Sequence, residues 1–144
     1  MAKLDEFLNE NPEDRPGELT AMKAVILAAS GDQSGAELHL QSAAAKEKEI
    51  GFGEFHHTAY LIACGCALLN QTSEALRWLR KTVEKGFSCY PLFERDPNLS
   101  QLRNDAGFIA FLGEEKREWE RRKVLWQRLE ESLRATQSSR PERP

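Results

Sequence analysis

EFHHTAYLIACGCALLNQTSEALRWLRKTVEKG, residues 54–86, is the stretch on which the reading of this fold turns. Within it, TAYLIACGCALL (58–69) is apolar almost all the way round, so a helix made from it has to be covered on more than one side. It is too short to span a bilayer, which takes about 20 apolar residues, and so belongs between other helices. Beyond the turn, Ala75, Trp78, Leu79, Thr82 and Val83 recur at three- and four-residue steps and form one buried stripe. Thr72 or Ser73 offers a side-chain oxygen to cap the start of this second helix, and Gly86 offers the left-handed residue that ends it. The stretch reads as a helical hairpin whose first helix is central.

Outward from the hairpin the same periodicity continues and strand-like alternation is scarce, so the expected fold class is all-α. A short amphipathic start groups Leu4, Phe7 and Leu8, and Asn11–Gly17, with Pro12 and Pro16, breaks it. A helix over Glu18–Ser30 stops at Gly31. Asp32 or Ser34 caps the next helix, which places Ala36, Leu40, Ala43 and Ala44 on one side and closes at Gly51 and Gly53. Ala36 aligns with Ala75, Leu40 with Leu79, Ala43 with Thr82, Gly31 with Asn70 and Leu27 with Cys66, all at an offset of 39 residues. The hairpin is therefore read as a repeated unit, in which small residues at matched positions let the paired helices approach closely.

Thr58–Gly86 resembles the tetratricopeptide repeat family. A helix ending near Leu69 and a short turn precede Glu74-Ala75-Leu76 and Leu79, with Ala63 at one of the family's small positions and Ala75 at its most constant alanine. Ala59 stands in place of the early tryptophan, Cys66 in place of the usual tyrosine, and Gly86-Phe87 in place of the terminal proline. The offset also exceeds the family's period of roughly 34 residues. The resemblance covers about two units, residues 18–87. It implies a non-catalytic scaffold or adaptor whose first helices line a groove for a protein segment. That groove would present Glu18, Ala21, Met22 and Val25 from one unit and His57, Tyr60, Leu61 and Cys64 from the next. These positions lack the Lys and Asn set by which some family members clamp a terminal carboxylate, so an apolar or amphipathic helical ligand is expected.

YPLFERDPNLSQLRNDAGFIAFL, residues 90–112, is similar to the closing segment of bacterial tetratricopeptide arrays, which often accompany signalling proteins. Asp96-Pro97, Leu99, Leu102-Arg103, Asp105 and Phe108 match that pattern, while Ala106-Gly107 departs from its Pro-Arg. The residues read the same way physically: Asp96 caps a one-turn helix, Leu99 and Leu102 dock inward, and Asp105 caps the helix that follows. That helix runs from Ala106 to about Arg134. Steps of four and three along it give Phe108, Leu112, Glu115, Trp119, Arg122, Trp126, Leu129 and Leu133, a stripe as narrow as a coiled-coil seam. Two readings stand. The helix folds back as the solvating cap of the array, or Trp119, Trp126, Leu129 and Leu133 form an exposed interface for a second copy or another helix.

The domain organisation expected is a short helix and linker over 1–17, a helical domain over 18–134 with its long helix from about 105, and a disordered tail over 135–144. Composition is globular, with 40% hydrophobic and 30% charged residues. The net charge of −3 gives no reason to expect nucleic acid, and the basic run Arg121-Arg122-Lys123 adjoins Glu118 and Glu120. No signal peptide and no membrane-spanning run is visible, and three cysteines read as reduced thiols, so the expected compartment is the cytoplasm. His56, His57, Cys64 and Cys66 invite a metal. However, Cys64 and Cys66 point to different sides of a helix, and a site using His57 and Cys64 needs further ligands such as Cys89 or His39. Cys89 has no base to activate it, and HExxH, GxSxG and phosphate-loop motifs are missing. No catalytic residue, metal or cofactor is expected. The expected partner is a protein or peptide, with a homodimer possible through the last helix.

Overall fold

Three helices among the described residues end in the same way, and those endings set the layout. The computed structural model describes residues 2–10, 14, 16–49 and 55–138. Gly51 and Gly53, most of the Asn11–Gly17 breaker, and the tail from Ser139 onward lie outside them. Helix α2 (Glu18–Ala29) ends where Gly31 N–H bonds the carbonyl of Ala28 and Asp32 N–H bonds that of Leu27. Helix α4 (His56–Leu68) ends with Asn70 N–H on Ala67 and Gln71 N–H on Cys66. Helix α5 (Thr72–Glu84) ends with Gly86 N–H on Val83 and Phe87 N–H on Thr82. Each pair is a Schellman motif, which needs a left-handed residue at its centre. Gly31, Asn70 and Gly86 supply it with φ of 88°, 59° and 101°. The first two reverse the chain within three residues, so α2 packs on helix α3 (Gln33–Ala45) and α4 on α5.

The fold class is all-α: every element among the described residues is a helix. Helix α4 is central, as its unbroken apolar surface requires, and packs against α2, α3 and α5. It approaches α3 closely because Gly65 has no side chain. A Cβ there would lie 2.7 Å from Leu40 Cδ2. Helix α5 buries Ala75, Trp78, Leu79 and Thr82, the i, i+3, i+4, i+7 stripe read from the sequence. Asp32 caps α3 by accepting from Gly35 N–H at 2.9 Å. The cap expected from Thr72 or Ser73 does not form. Gln71 takes the N-cap position with no side-chain bond, Thr72 is already helical, and Glu74 places negative charge in the first turn.

The start of α2 is held by a residue that sequence pattern did not single out. Asp14, buried, accepts from Leu19 N–H at 3.2 Å, Thr20 N–H at 2.9 Å and the Thr20 hydroxyl at 2.5 Å. Lys46, just past α3, donates to the Asp14 carbonyl and so ties the two ends of the first hairpin. Helix α1 (Ala2–Glu10) lies against α2, with Asp5 and Lys23 paired at 2.6 Å.

Past α5 the chain forms helix α6 (Tyr90–Arg95), a 3₁₀ turn (Pro97–Leu102) and helix α7 (Ala106–Ser138). Asp96 caps the 3₁₀ turn through Asn98 N–H at 2.8 Å, Leu99 and Leu102 are buried, and Asp105 caps α7 through Phe108 N–H at 2.9 Å. The 3₁₀ turn packs onto α4 and α6 onto α7. Helix α7 continues four residues past Arg134, so Ala135–Ser138 belong to the helix and not to a tail.

Nothing lies within 4 Å of a Cβ placed on Gly86, so a substitution there meets only backbone strain. Gly86→Ala should cost about 1–2 kcal/mol in urea unfolding. Asn70→Gly, at a position both residues tolerate, should stay within about 0.5 kcal/mol of the parent.

Candidate interaction surface

Of the residues expected to line a groove, the structure brings together a closed face and leaves only a fringe open. Tyr60 and Cys64 are buried, with 8% and 1% of their surface exposed, and Ala21 is wholly buried. Leu61 and Val25 are half-buried against the core, while Met22 and His57 are exposed. The expectation that Tyr60 and Cys64 face a ligand is therefore corrected: their face of α4 is covered by the chain's own residues 87–102. Tyr60 packs against Phe87 and Phe93, with ring centroids 5.8 and 5.6 Å away. Its hydroxyl donates to Asp96 Oδ2 at 2.5 Å, and Cys64 Sγ lies 3.9 Å from the same oxygen. Arg103 locks the lid from behind by donating to the carbonyls of Glu94 and, at 3.1 Å, Asp96.

This burial keeps the groups neutral. Desolvation, then the neighbouring Cys64 and Asp96, raises the Tyr60 phenol well above its ordinary value. Desolvation and Asp96 likewise raise the Cys64 thiol, and desolvation lifts Cys66 from 9.0 to about 11. Thiols held in this way are poor nucleophiles and poor metal ligands. His56 stacks on Phe87, and His57 meets both rings edge-on, with centroids 4.2 to 5.6 Å apart. Among the described residues no group of three or more His, Cys, Asp or Glu is gathered to hold a metal ion. No helix among them is long and apolar enough to cross a membrane.

The open face is on α7. Its first turns are rooted in the body: Phe108 and Phe111 are buried, Leu112 packs on the core, and the Phe111 ring lies 5.7 Å from Phe93. Glu115 is the last buried residue of the stripe and accepts from the Ser88 hydroxyl at 2.5 Å. Beyond it the helix leaves the body, and the fold-back cap does not form. Trp119, Trp126, Leu129 and Leu133 are 40%, 63%, 50% and 54% exposed. Leu125, one turn before Leu129, is also exposed and borders the stripe, while exposed Val124 lies on the opposite side of the helix. Isolated apolar residues on a surface need no explanation, but Trp119, Leu125, Trp126, Leu129 and Leu133 on one side of one helix form an apolar strip.

The polar residue inside the strip is restrained from the side. Arg121 and Arg122 both donate to Glu118, at 2.6 and 2.8 Å, and hold its carboxyl down to about 2, so the trio stays charged at any ordinary pH. Trp126 Nε1–H donates to Glu130 at 3.1 Å, leaving its ring along the helix surface. Trp119, Arg122, Lys123 and Trp126, with Ser88 from the body, enclose a hollow of about 320 Å³. A second hollow, of about 370 Å³, lies between α3 and α5 over Cys66 and Trp78. Its rim is already self-satisfied, with Arg77 bonded to Glu74 at 2.6 Å and Gln71 to Glu37 at 3.2 Å, so it presents fewer unmet demands than α7.

No family model matches this chain, and no curated protein or solved structure matches it either.

Replacing Tyr60 should damage the fold and not a binding surface. Tyr60→Ala is expected to lose about 3–5 kcal/mol of unfolding free energy, and Tyr60→Phe about 1–2 kcal/mol through the orphaned Asp96 bond. Native alkylation at neutral pH should modify only half-buried Cys89, with Cys64 and Cys66 reacting after unfolding; mass spectrometry counts the adducts. Unfolded thiols ionise near 9.0 while folded Cys66 holds its proton to about 11, so the unfolded state binds fewer protons in that window. Stability should therefore fall as pH rises from 9 toward 11, and the thermal midpoint should fall with it.

Proposed function

We propose that this chain is a non-catalytic protein–protein interaction module, built on tetratricopeptide-like hairpins, that assembles through the exposed strip of α7. The observation that carries this reading is the change at Glu115: before it the apolar stripe is buried in the body, and after it the same stripe faces solvent through Leu133. Burying tryptophans and leucines against another helix is worth about 25 cal/mol per Å² of apolar area removed from water. Paired aromatics are common anchors of interfaces. The body then serves as the platform that roots and aims the helix. The repeat reading is supported by Gly31 and Asn70, 39 residues apart, which end their helices with the same pair of backbone bonds. A cytoplasmic setting fits three free thiols, two of them buried.

The groove reading for a helical peptide loses its centre, because residues 87–102 occupy the face of α4 that a ligand would take. Met22 and His57 remain open, but they form a fringe and not a cleft.

Light scattering tests the proposal. The wild-type chain should run above monomer mass at micromolar concentration, and Trp119→Glu/Trp126→Glu should run as a monomer that keeps the helical circular dichroism of the body and loses at most part of that from the free end of α7. Both side chains lie outside the core, so the body of the double variant should still unfold in one cooperative thermal transition. A wild-type monomer at all concentrations would sink self-assembly through α7.

A further inference from the structure

Assembly through α7 leaves open how the helices meet, and three features of the helix point to one arrangement. The first is the side on which the body sits. Phe108, Leu112 and Glu115 face the body and lie on the same stripe as Trp119 and Trp126, and Ser88 of the body overhangs the start of the exposed part. A second α7 laid on that stripe in parallel and in register would bring its own body to the same place. Laid antiparallel, it carries its body to the far end.

The second feature is charge. The first half of the free helix carries Lys116, Arg117, Arg121, Arg122 and Lys123 against Glu118 and Glu120, a net of +3, whereas the second half balances Arg128 and Arg134 against Glu130 and Glu131. Parallel pairing sets like against like and places two Arg122 side chains opposite each other in the seam. Antiparallel pairing sets the basic half against a neutral one and brings Lys123, beside the seam, to Glu130 of the other copy.

The third is the hollow. Trp119, Arg122, Lys123 and Trp126 stand at i, i+3, i+4 and i+7, and four residues so spaced form the hole that takes a knob from a facing helix.

We propose, resting on assembly through α7, that the partner is a second copy lying antiparallel over residues 117–138, an overlap of about 33 Å. In this register Trp126 of each copy packs on Leu129 of the other at the centre. Leu133 of the second copy enters the hollow between Trp119 and Trp126, level with Arg122. Lys123 flanks Glu130 of the second copy, twice by symmetry. The helix of each copy ends beside Arg117 of the other, where the first leaves its body, so neither body is struck.

The experiment uses the whole chain in a Cys89→Ser background, so that the remaining native thiols are buried. A chain carrying Lys123→Cys is mixed with a differently tagged chain carrying Glu130→Cys and treated with a short bis-maleimide. The expected result is a cross-link between the two tags and none between like chains of the Lys123→Cys variant. In light scattering, Lys123→Glu should weaken the dimer about tenfold and Lys123→Glu/Glu130→Lys should restore it. Cross-linking of an Arg122→Cys variant to itself, with no mixed 123–130 product, would establish parallel pairing and overturn the arrangement while keeping assembly. A dimer that yields neither product overturns the register. A wild-type monomer overturns assembly itself.

Discussion

The hydroxyl of Tyr60, donated to the carboxylate of Asp96 across 36 residues of sequence, determines which faces of this molecule stay open. Asp96 is placed to receive it because its other oxygen caps the 3₁₀ turn and its carbonyl is held by Arg103. Around this bond the rings of Tyr60, Phe87 and Phe93 close on one another at 5.6 to 6.1 Å, and such pairs add about 0.5–1.5 kcal/mol each beyond their area. The result is a lid made by the chain over the inner face of its own second hairpin. This face of α4 is spent on intramolecular closure.

The same cluster fixes α7. Phe93 touches Tyr60 on one side and Phe111 on the other, so the lid and the root of the last helix are one packing unit. Asp105 sets where the helix begins, and Ser88 with Glu115 marks where it leaves the body. Between these points about ten residues anchor more than twenty that follow. A helix rooted by buried phenylalanines and a cap has a defined direction, which a flexible tether would lack.

Much of this was legible because it is local. The stripe of α5, the left-handed endings at Gly31 and Gly86, and the caps at Asp32, Asp96 and Asp105 each depend on residues within one or two turns. The 39-residue offset correctly aligned Gly31 with Asn70, and the structure gives both a positive φ. What escaped depends on distant partners. Asp14 reads as part of a breaker until α2 folds back onto it, and Tyr60 reads as a surface residue until Phe87, Phe93 and Asp96 arrive. Periodicity also shows which residues share a face of α7 without showing what covers that face. Phe108 and Trp126 occupy one stripe, yet one is wholly buried and the other 63% exposed.

That shared stripe bears on why the free helix holds together. Helix formation is cooperative and weak without packing, and a charged segment of some twenty residues gains little from propensity alone. Its side-chain bonds, Glu118 with Arg121 and Arg122, and Glu130 with Trp126 and Arg134, contribute only a few tenths of a kcal/mol each at an exposed surface. Burial of Trp119, Trp126, Leu129 and Leu133 against a partner is a larger reserve, and it is available only while the backbone is helical. Order in the helix and occupancy of its seam are thus thermodynamically linked. If the strip is an interface as proposed, whatever loosens the root at Phe111 would weaken assembly, and assembly would in turn stiffen the root. The closure at Tyr60 and Asp96 would then act on the proposed interface through the aromatic cluster, although neither residue lies on the exposed strip.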